Sequence, residues 1–170
     1  GYAIHILKDI DMDIRSQHTR PIVLNELSDC TFGGAAGDVM TTATYLVTHH
    51  IPKAAVVGIV DPGSVEQAFK VGVGVKEKFT IGGKICMKNN PSLKISAEVV
   101  SLHTNVCPKS HMEMESGMVF NRVAIISAEG VHLLLIEYPG PIGGPAFFDA
   151  VGLSATDYQV IVVKEGLNPF

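Results

Sequence analysis

The stretch SDCTFGGAAGDVMTTATYLVTHH, residues 28–50, joins an apolar segment to a run with helical periodicity through a glycine-rich loop. The preceding segment PIVLNEL, residues 21–27, is apolar and β-branched at its start, which predicts a strand. After the loop, apolar residues recur at helical spacing, namely Val39, Ala43, Leu46 and Val47. We therefore predict a helix that begins at Val39, with Asp38 capping its first turn, and that ends before Pro52.

A second strand and helix follow directly. The segment AAVVGIV, residues 54–60, is apolar without alternation, which is typical of a strand covered on both faces in a parallel sheet. In DPGSVEQAFKVG, residues 61–72, Asp61 is placed to cap a helix and Pro62 occupies its first position. The apolar residues on the buried side of this helix would be Val65, Ala68 and Phe69. The first half is thus βαβα, with parallel strands and a right-handed crossover.

Hydrophobicity changes to a period of two in the middle of the chain. The segments VKEKFTI, residues 75–81, and LKISAEVVSL, residues 93–102, alternate and are separated by a turn-rich loop, which predicts an antiparallel pair. The segments NRVAIIS and VHLLLIEY, residues 121–127 and 131–138, flank a short loop with glycine and predict a second hairpin.

The last part of the chain completes the predicted fold. A short helix is expected near residues 146–151, and YQVIVV, residues 158–163, supplies a last buried strand. Residues 1–20 show no convincing period and are interpreted as an irregular arm. At 170 residues, of which 46% are hydrophobic, we expect residues 1–170 to form a single domain with a large core. The predicted class is α/β with a mixed sheet: a βαβα parallel start, antiparallel hairpins in the middle, and a terminal helix and strand.

Composition narrows the classes of partner. The net charge is −4 and the 13 basic residues are scattered, so neither nucleic acid nor an anionic membrane is an expected partner. No apolar run reaches the roughly 18 residues that a membrane span requires, and the start of the chain lacks the pattern of a signal peptide. Cys30, Cys86 and Cys107 form no CxxC pair, which favours free thiols. We expect a cytoplasmic protein.

A ligand site is expected where the parallel strands end. In open α/β sheets, ligands bind beyond the carboxyl ends of the strands. Asp29 and the glycine loop follow the first strand, Asp61 follows the second, and Lys164 follows the last. If these strands are parallel, the three side chains share one edge of the sheet.

The glycine loop itself has two interpretations. Gly33, Gly34 and Gly37 would let the backbone approach a ligand closely, with helix amides holding an anionic group. Alternatively, the glycines only allow a tight turn and Asp38 only caps the helix. A P-loop is not indicated, because no Lys-Ser/Thr pair follows the glycines and the two carboxylates would repel phosphate.

Metal and nucleophile motifs are weak. His49 and His50 are adjacent and would point about 100° apart on a helix. No HxH, HExxH or HxxxH pattern places two histidines on one face, and HMEMES, residues 111–116, is a weak metal candidate. There is no GxSxG motif. The residues alone therefore indicate a cleft lined by carboxylates, glycines and one lysine, and they identify neither a catalytic residue nor a metal ligand in this chain.

Several segments, in order and spacing, resemble the C-terminal domain of the MlrC-like (microcystinase C type) metallopeptidase family. The resemblance covers roughly residues 20–166 and is carried by DCTFGGAAGD (29–38), VDPGSVEQAF (60–69), VGVG (71–74), IGGK (81–84) and AVGLSATDYQVIVVKEG (150–166). Within the loop, Cys30, Thr31, Phe32 and Ala36 depart from the family's Asn, Pro, Gly and Pro. Glu165 replaces the family's serine.

The resemblance implies zinc-dependent hydrolysis of a peptide or amide substrate. In that family the zinc is held by Asp and His ligands of a larger N-terminal domain, which this chain lacks. This chain would contribute a substrate-facing loop, would be inactive alone, and would form part of a longer protein, with which the Gly1 start is compatible. The substrate-binding positions implied by the resemblance are Asp29, Gly33, Gly34, Gly37, Asp38, Asp61 and Lys164.

Two other functions remain open. One is a noncatalytic binding or assembly module that docks through the hairpins and the arm. The other is a small-molecule binder that seats an anion at the glycine loop. A homo-oligomer is compatible with each of them.

Overall fold

The computed structural model describes residues 21–85, 90–109, 118–140, 142 and 144–164. The strands within these ranges are β1 (Ile22–Asn25), β2 (Ala54–Val60), β3 (Lys76–Ile81), β4 (Leu93–Val106), β5 (Phe120–Ala128), β6 (Val131–Ile136) and β7 (Val160–Val163). The helices are α1 (Thr41–Thr48), α2 (Pro62–Val71) and α3 (Gly144–Ala150), with single 3-10 turns at Leu27–Asp29 and Ala155–Asp157. The predicted arm at 1–20, Cys86, the 111–116 stretch and Glu165 lie outside the described residues.

The strands form one mixed sheet in the order β1-β7-β2-β6-β5-β4-β3. The predicted α/β fold with a parallel start is confirmed, since β1 pairs with β7, β7 with β2, and β2 with β6, all in parallel. β7 lies between β1 and β2, where Val160 pairs with both Ile22 and Ala54. Every residue of β7 is buried, which suits a central position, whereas the partly exposed β1 suits an edge.

The second half of the sheet is antiparallel, as the two predicted hairpins require. β3 pairs with β4, and β5 pairs with both β4 and β6. β4 has 14 residues and is longer than predicted, because its first half pairs with β3 and its second half with β5 across a register shift between Val99 and Ser101. The chain after β3 thereby returns to the end of β2, where the Gly82 N–H donates to Asp61 at 2.9 Å.

The core occupies both faces of the sheet. One face packs against α1 and α2 through residues such as Leu46, Val65 and Phe79. The other packs against α3 through Phe147 and Phe148. Phe69, predicted on the buried side of α2, packs at the margin of this core and is only partly buried. None of the helices in the described ranges combines the length and apolar character that a membrane crossing needs.

The start of α1 corrects one prediction. The helix begins at Thr41 rather than Val39, and its N-cap is Met40, without a side-chain cap. Asp38 does not cap α1 because its carboxylate instead accepts the backbone N–H groups of Lys84 and Ile85. The prediction for α2 is confirmed, since Asp61 caps that helix by accepting from Ser64.

Candidate functional site

Asp29, Asp61 and Lys164 lie on the same edge of the sheet, as the parallel strands require. The Lys164 ammonium contacts Asp29 directly, with 2.8 Å between Nζ and Oδ2. The end of β2 joins this group through the Val60 N–H, which donates to the carbonyl of Gly37 at 3.0 Å. The three strand ends therefore meet at one place, and the site is assembled from segments far apart in sequence.

The ammonium of Lys164 is completely buried and fully hydrogen-bonded. Its Nζ donates to Glu26 Oε2 at 2.7 Å, to Asp29 Oδ2 at 2.8 Å and to the carbonyl of Val39 at 2.7 Å. These contacts use all three N–H groups of a lysine. A charge taken out of water is tolerated only when it is paired and hydrogen-bonded in this way. Lys164 therefore ties both ends of the glycine loop to β7.

The first loop, residues 26–40, is closed by Asp29. Its Oδ1 accepts the Gly37 N–H at 2.9 Å and its Oδ2 accepts the Val39 N–H at 2.8 Å. Nearer the tip, the N–H groups of Gly33 and Gly34 donate to the carbonyls of Cys30 and Thr31. These amides are therefore engaged within the chain, which weakens the interpretation that they seat an anion.

Two loop glycines meet different demands. Gly37 has a φ of +72°, and a Cβ there would lie 2.5 Å from the Thr31 side chain and 2.6 Å from Val60. Gly34 has a φ of +86° with open space around it. Gly37 is thus required by close packing, whereas Gly34 lets the exposed tip turn. Phe32 stands on that tip with 48% of its surface exposed.

A second loop, of which residues 82–85 and 90 are described, interlocks with the first through Asp38. The Asp38 Oδ2 accepts the N–H groups of Lys84 at 2.8 Å and Ile85 at 2.9 Å, while its backbone carbonyl accepts from Gly83 at 2.8 Å. Asn90 completes the contact, since its amide bonds the Asp38 carbonyl and accepts from the Met40 N–H. The two loops therefore form one hydrogen-bonded unit.

Asp61 is the centre of a separate ion pair. Its buried carboxylate lies 2.6 and 2.7 Å from the Lys84 ammonium. It also accepts from the backbone and hydroxyl of Ser64, and from the N–H of Gly82. The Lys84 side chain is 46% exposed, whereas the Asp61 side chain is fully buried. Solvent therefore reaches the Lys84 side chain but not the Asp61 side chain.

Three members of these networks were missed by the sequence reading: Glu26, Lys84 and Asn90. Glu26 and Lys164 are 138 positions apart, and Asn90 and Asp38 are 52 apart, so no local pattern signals either contact. Lys84 does carry a signal, since it ends the IGGK segment of the family resemblance.

The carboxylates of this edge do not fit a zinc ion. Within the described ranges, no group of three or more His, Cys, Asp and Glu side chains is arranged to hold a metal. Asp29, Asp38 and Asp61 face N–H and ammonium donors, which occupy the lone pairs that a cation would need. Among the described residues, no histidine contributes to the edge.

The histidines of the described ranges lie elsewhere and have other partners. His49 stacks on Tyr45, with ring centroids 3.9 Å apart, and His50 pairs with Glu129 at 3.0 Å. His132 lies 2.8 Å from the Tyr158 hydroxyl. Burial lowers the pKa of His132, and burial, followed by the charge of Asp157, raises the pKa of Tyr158 to about 12.

Large apolar side chains are exposed on the two loops. Leu27 and Phe32 belong to the first loop and Ile85 to the second, with exposures of 64%, 48% and 70%. We call these three residues the apolar rim. Of these three, Ile85 is held by its backbone N–H, which donates to the buried carboxylate of Asp38.

Known proteins match this chain in sequence and fold. A family model described as "MlrC C-terminus" matches residues 24–169. Microcystinase C from Sphingomonas sp is 27% identical over 144 residues, which are 85% of this chain and 28% of that protein. The crystal structure of the "Putative metallopeptidase" from Mesorhizobium sp. BNC1 shares the fold, with a TM-score of 0.75 and 21% identity over 92% of this chain and 32% of that chain. The chain spans less than a third of either protein.

Proposed function

Because the chain belongs to the MlrC C-terminal family, we propose that it is the C-terminal domain of a zinc-dependent peptide or amide hydrolase. Its zinc would be held by a separate N-terminal domain. The chain would add the tip of the first loop to the substrate cleft formed with that domain. The length of the matched proteins supports this division, since most of each lies outside the matched region.

The observation that carries the proposal is the anchoring of the first loop by Lys164. A buried ammonium that binds Glu26, Asp29 and the Val39 carbonyl holds both ends of the loop. The tip at residues 32–34 is left exposed at the sheet edge where α/β proteins bind ligands. A catalytic cleft needs groups held in one geometry, and such buried supporting contacts provide it.

The predicted substrate-binding residues then divide into two sets. Gly33 and Gly34 lie on the exposed tip and would face the substrate with Phe32. The others are buried, and their polar groups are bonded within the chain, so they would position the tip without touching the substrate. These positioning residues are Asp29, Gly37, Asp38, Asp61 and Lys164.

The metal chemistry would come from the other domain. A zinc ion bound there would supply an activated water or a polarised carbonyl. The residues of this chain would bind and orient the substrate and exclude bulk water through the loop tip. No proton transfer is assigned to this chain, because its buried carboxylates already accept hydrogen bonds from its own donors.

The test compares the 170-residue chain with the product of the complete reading frame that encodes it. We expect zinc-dependent hydrolysis of a set of short peptides and acyl amides by the longer product, and none by the chain alone. Stoichiometric zinc binding together with peptide hydrolysis by residues 1–170 alone would overturn the proposal.

A pair of variants tests the loop tip in the longer product. Phe32→Ala is expected to lower kcat/KM by about tenfold through lost substrate contact, with unchanged thermal stability. Val73→Ala is the matched control, because Val73 is similarly exposed, at 59%, but lies between α2 and β3. Equal activity of the two variants would contradict the proposal that the loop tip lies in the substrate cleft.

The apolar rim favours a second candidate, a noncatalytic assembly module. Exposed Leu27, Phe32 and Ile85 would then bind another protein surface instead of a substrate. Replacing all three by serine would abolish association with the remainder of the longer product, as measured by sedimentation of the separately expressed halves. The assembly interpretation requires two results: the separately expressed halves associate, and the intact longer product hydrolyses no peptide or amide.

A further inference from the structure

We propose that Lys84 anchors a carboxylate of the substrate, so that the hydrolase acts on peptides or acyl amides that carry a free carboxylate. The inference rests on the proposed function and adds the chemical class of its substrate. It starts from the Lys84 side chain, which is 46% exposed at the edge of the sheet where it pairs with Asp61.

The Lys84 ammonium retains hydrogen-bonding capacity. A lysine has three N–H donors, and Lys84 directs its donors at the two oxygens of a single carboxylate, that of Asp61. In the described part of the chain, no other acceptor bonds the Lys84 ammonium. Lys164 differs, because its three donors reach three separate acceptors and none of its side chain is exposed.

The charge of Asp61 does not repel an incoming anion as strongly as a solvent-exposed carboxylate would. Asp61 is the N-cap of α2, where the partial positive charge of the helix end favours an anion. Its oxygens also accept hydrogen bonds from Ser64 and Gly82. Because the Asp61 side chain is fully buried, an approaching carboxylate would meet the ammonium of Lys84 first.

The backbone of Lys84 is held in place by a separate interaction. Its N–H donates at 2.8 Å to the buried carboxylate of Asp38, which also accepts from Ile85. A long lysine side chain loses much rotamer freedom when it binds a ligand. With its backbone fixed by Asp38 and its ammonium held by Asp61, Lys84 has already lost most of that freedom before the ligand arrives.

The surroundings of Lys84 indicate what else the ligand would carry. Ile85 follows directly and is 70% exposed, and Phe32 stands on the other loop of the same interlocked unit. A carboxylate on the ammonium would place the neighbouring part of the ligand near the side chain of Ile85. The fitting ligand is a short peptide or acyl amino acid with a carboxylate beside an apolar group.

The binding test uses the 170-residue chain and two probes. The probes are N-acetyl-alanyl-leucine with a free carboxylate and the same compound as its C-terminal amide, titrated separately and followed by NMR. We expect saturable shifts of the Lys84 ammonium signal and of the Ile85 amide with the acid. Binding of the amide should be weaker by about tenfold or more, because the charge-assisted hydrogen bond is lost.

Variants locate the effect. Lys84→Met should abolish the preference for the acid, and Lys84→Arg should keep it, because arginine also binds carboxylates. Lys78→Met is the control, since Lys78 is an exposed lysine on β3. Equal affinities for acid and amide, or an acid preference that survives Lys84→Met, would overturn the inference. If Lys84→Met does not fold, the NMR signal of the Lys84 ammonium in the unsubstituted chain tests the inference instead. Failure of that signal to shift when the acid is added would also overturn the inference.

Kinetics of the longer product separate this inference from the function on which it rests. Hydrolysis that shows no preference for a free carboxylate would contradict the proposed role of Lys84, whereas the proposed hydrolase function would still hold. Acid-selective binding at Lys84 in a longer product that hydrolyses no peptide or amide would keep the anchor and overturn the proposed function. The expected result is that Lys84→Met raises KM for acid substrates by about tenfold and changes kcat little.

Discussion

Two lysines bind carboxylates on the same edge of the sheet, and they differ in what surrounds them. Lys164 is buried between Glu26 and Asp29, whereas Lys84 covers the buried Asp61 from the solvent side. The first lysine closes a network within the protein. The second leaves part of its side chain accessible. Pairs of similar composition can therefore serve as a structural support in one place and as a ligand contact in another.

The difference follows from the chain segments involved. Lys164 directly follows β7, a strand buried along its whole length, so its side chain emerges beneath the first loop. Lys84 lies on the second loop, above the first turn of α2. A lysine at the end of a central strand must be neutralised internally, while one on a covering loop needs only a single partner.

The largest expected effect comes from breaking the buried cluster. Lys164→Met would leave Glu26 and Asp29 without their cation while keeping most of the side-chain volume. Removing one partner of a buried ion pair typically costs about 3–5 kcal/mol. Urea unfolding of the 170-residue chain should show this loss, and a loss below about 1 kcal/mol would contradict the structural assignment of Lys164.

The next effect concerns the contact between the two loops. Gly82 has a φ of +60°, and a Cβ there would lie 2.4 Å from Met40 Cγ and 2.5 Å from the Asp38 carbonyl. Gly82→Ala should therefore cost about 2–3 kcal/mol, since one obstacle is backbone and cannot move aside cheaply.

Gly152→Ala is the matched control for this substitution. Gly152 also has a positive φ, +71°, but nothing lies within 4 Å of a Cβ placed there. It should cost only the conformational strain, about 1 kcal/mol. If the two substitutions are equally destabilising in the same unfolding measurement, the close approach of the loops contributes nothing.

The architecture was largely predictable because its signals are local. β2 was predicted at its observed bounds, since an apolar run without alternation has few alternatives to a central strand. The β3–β4 hairpin followed from its alternating pattern, and the β5–β6 hairpin from two segments that flank a short loop with glycine. The position of β7 between β1 and β2 could not be predicted in this way, because strand order depends on which strands can be buried on both sides.

The candidate site was predictable in position but not in its contacts. The rule about carboxyl ends brought Asp29, Asp61 and Lys164 together correctly. Asp38 looked like a helix cap because caps are the common use of Asp before a helix, and its actual partners are 46 and 47 positions away. Whether these residues serve substrate binding stays a prediction.

A smaller effect distinguishes the exposed pair from the buried cluster. Lys84→Met should cost about 1 kcal/mol or less, because the lysine of this pair is 46% exposed and solvent screens its charge, while Asp61 keeps the donors of Ser64 and Gly82. Unfolding curves for Lys84→Met and Lys164→Met should therefore differ clearly in midpoint. Equal destabilisation would mean that both lysines are structural, and the anchor proposed at Lys84 would lose its basis.

The smallest effect comes from a partly buried polar pair, His132 with Tyr158, which lie 2.8 Å apart and have no ionic partner among the described residues. Burial lowers the pKa of His132 below its ordinary value of 6.5, so the folded state binds the proton less readily than the unfolded state. Its contribution to stability is present above that value and is lost as the pH falls below it. Burial also lowers the pKa of His103, so His103 adds to the loss of unfolding free energy as the pH falls.

The substitution His132→Gln isolates the contribution of His132 to the pH dependence of the unfolding free energy. Between pH 7.5 and pH 5.5, the unfolding free energy of the unsubstituted chain should fall by up to about 1 kcal/mol more than that of the variant. At the alkaline end the sign reverses, because burial raises the pKa of Tyr158 to about 12 and stability is lost as the pH rises above its ordinary value of 10. Tyr158→Phe should flatten this alkaline loss and leave the acid limb steep. If the unfolding free energy of each variant depends on pH as steeply as that of the unsubstituted chain, His132 and Tyr158 contribute no measurable pH dependence. The pair would then differ from the charged edge of the sheet.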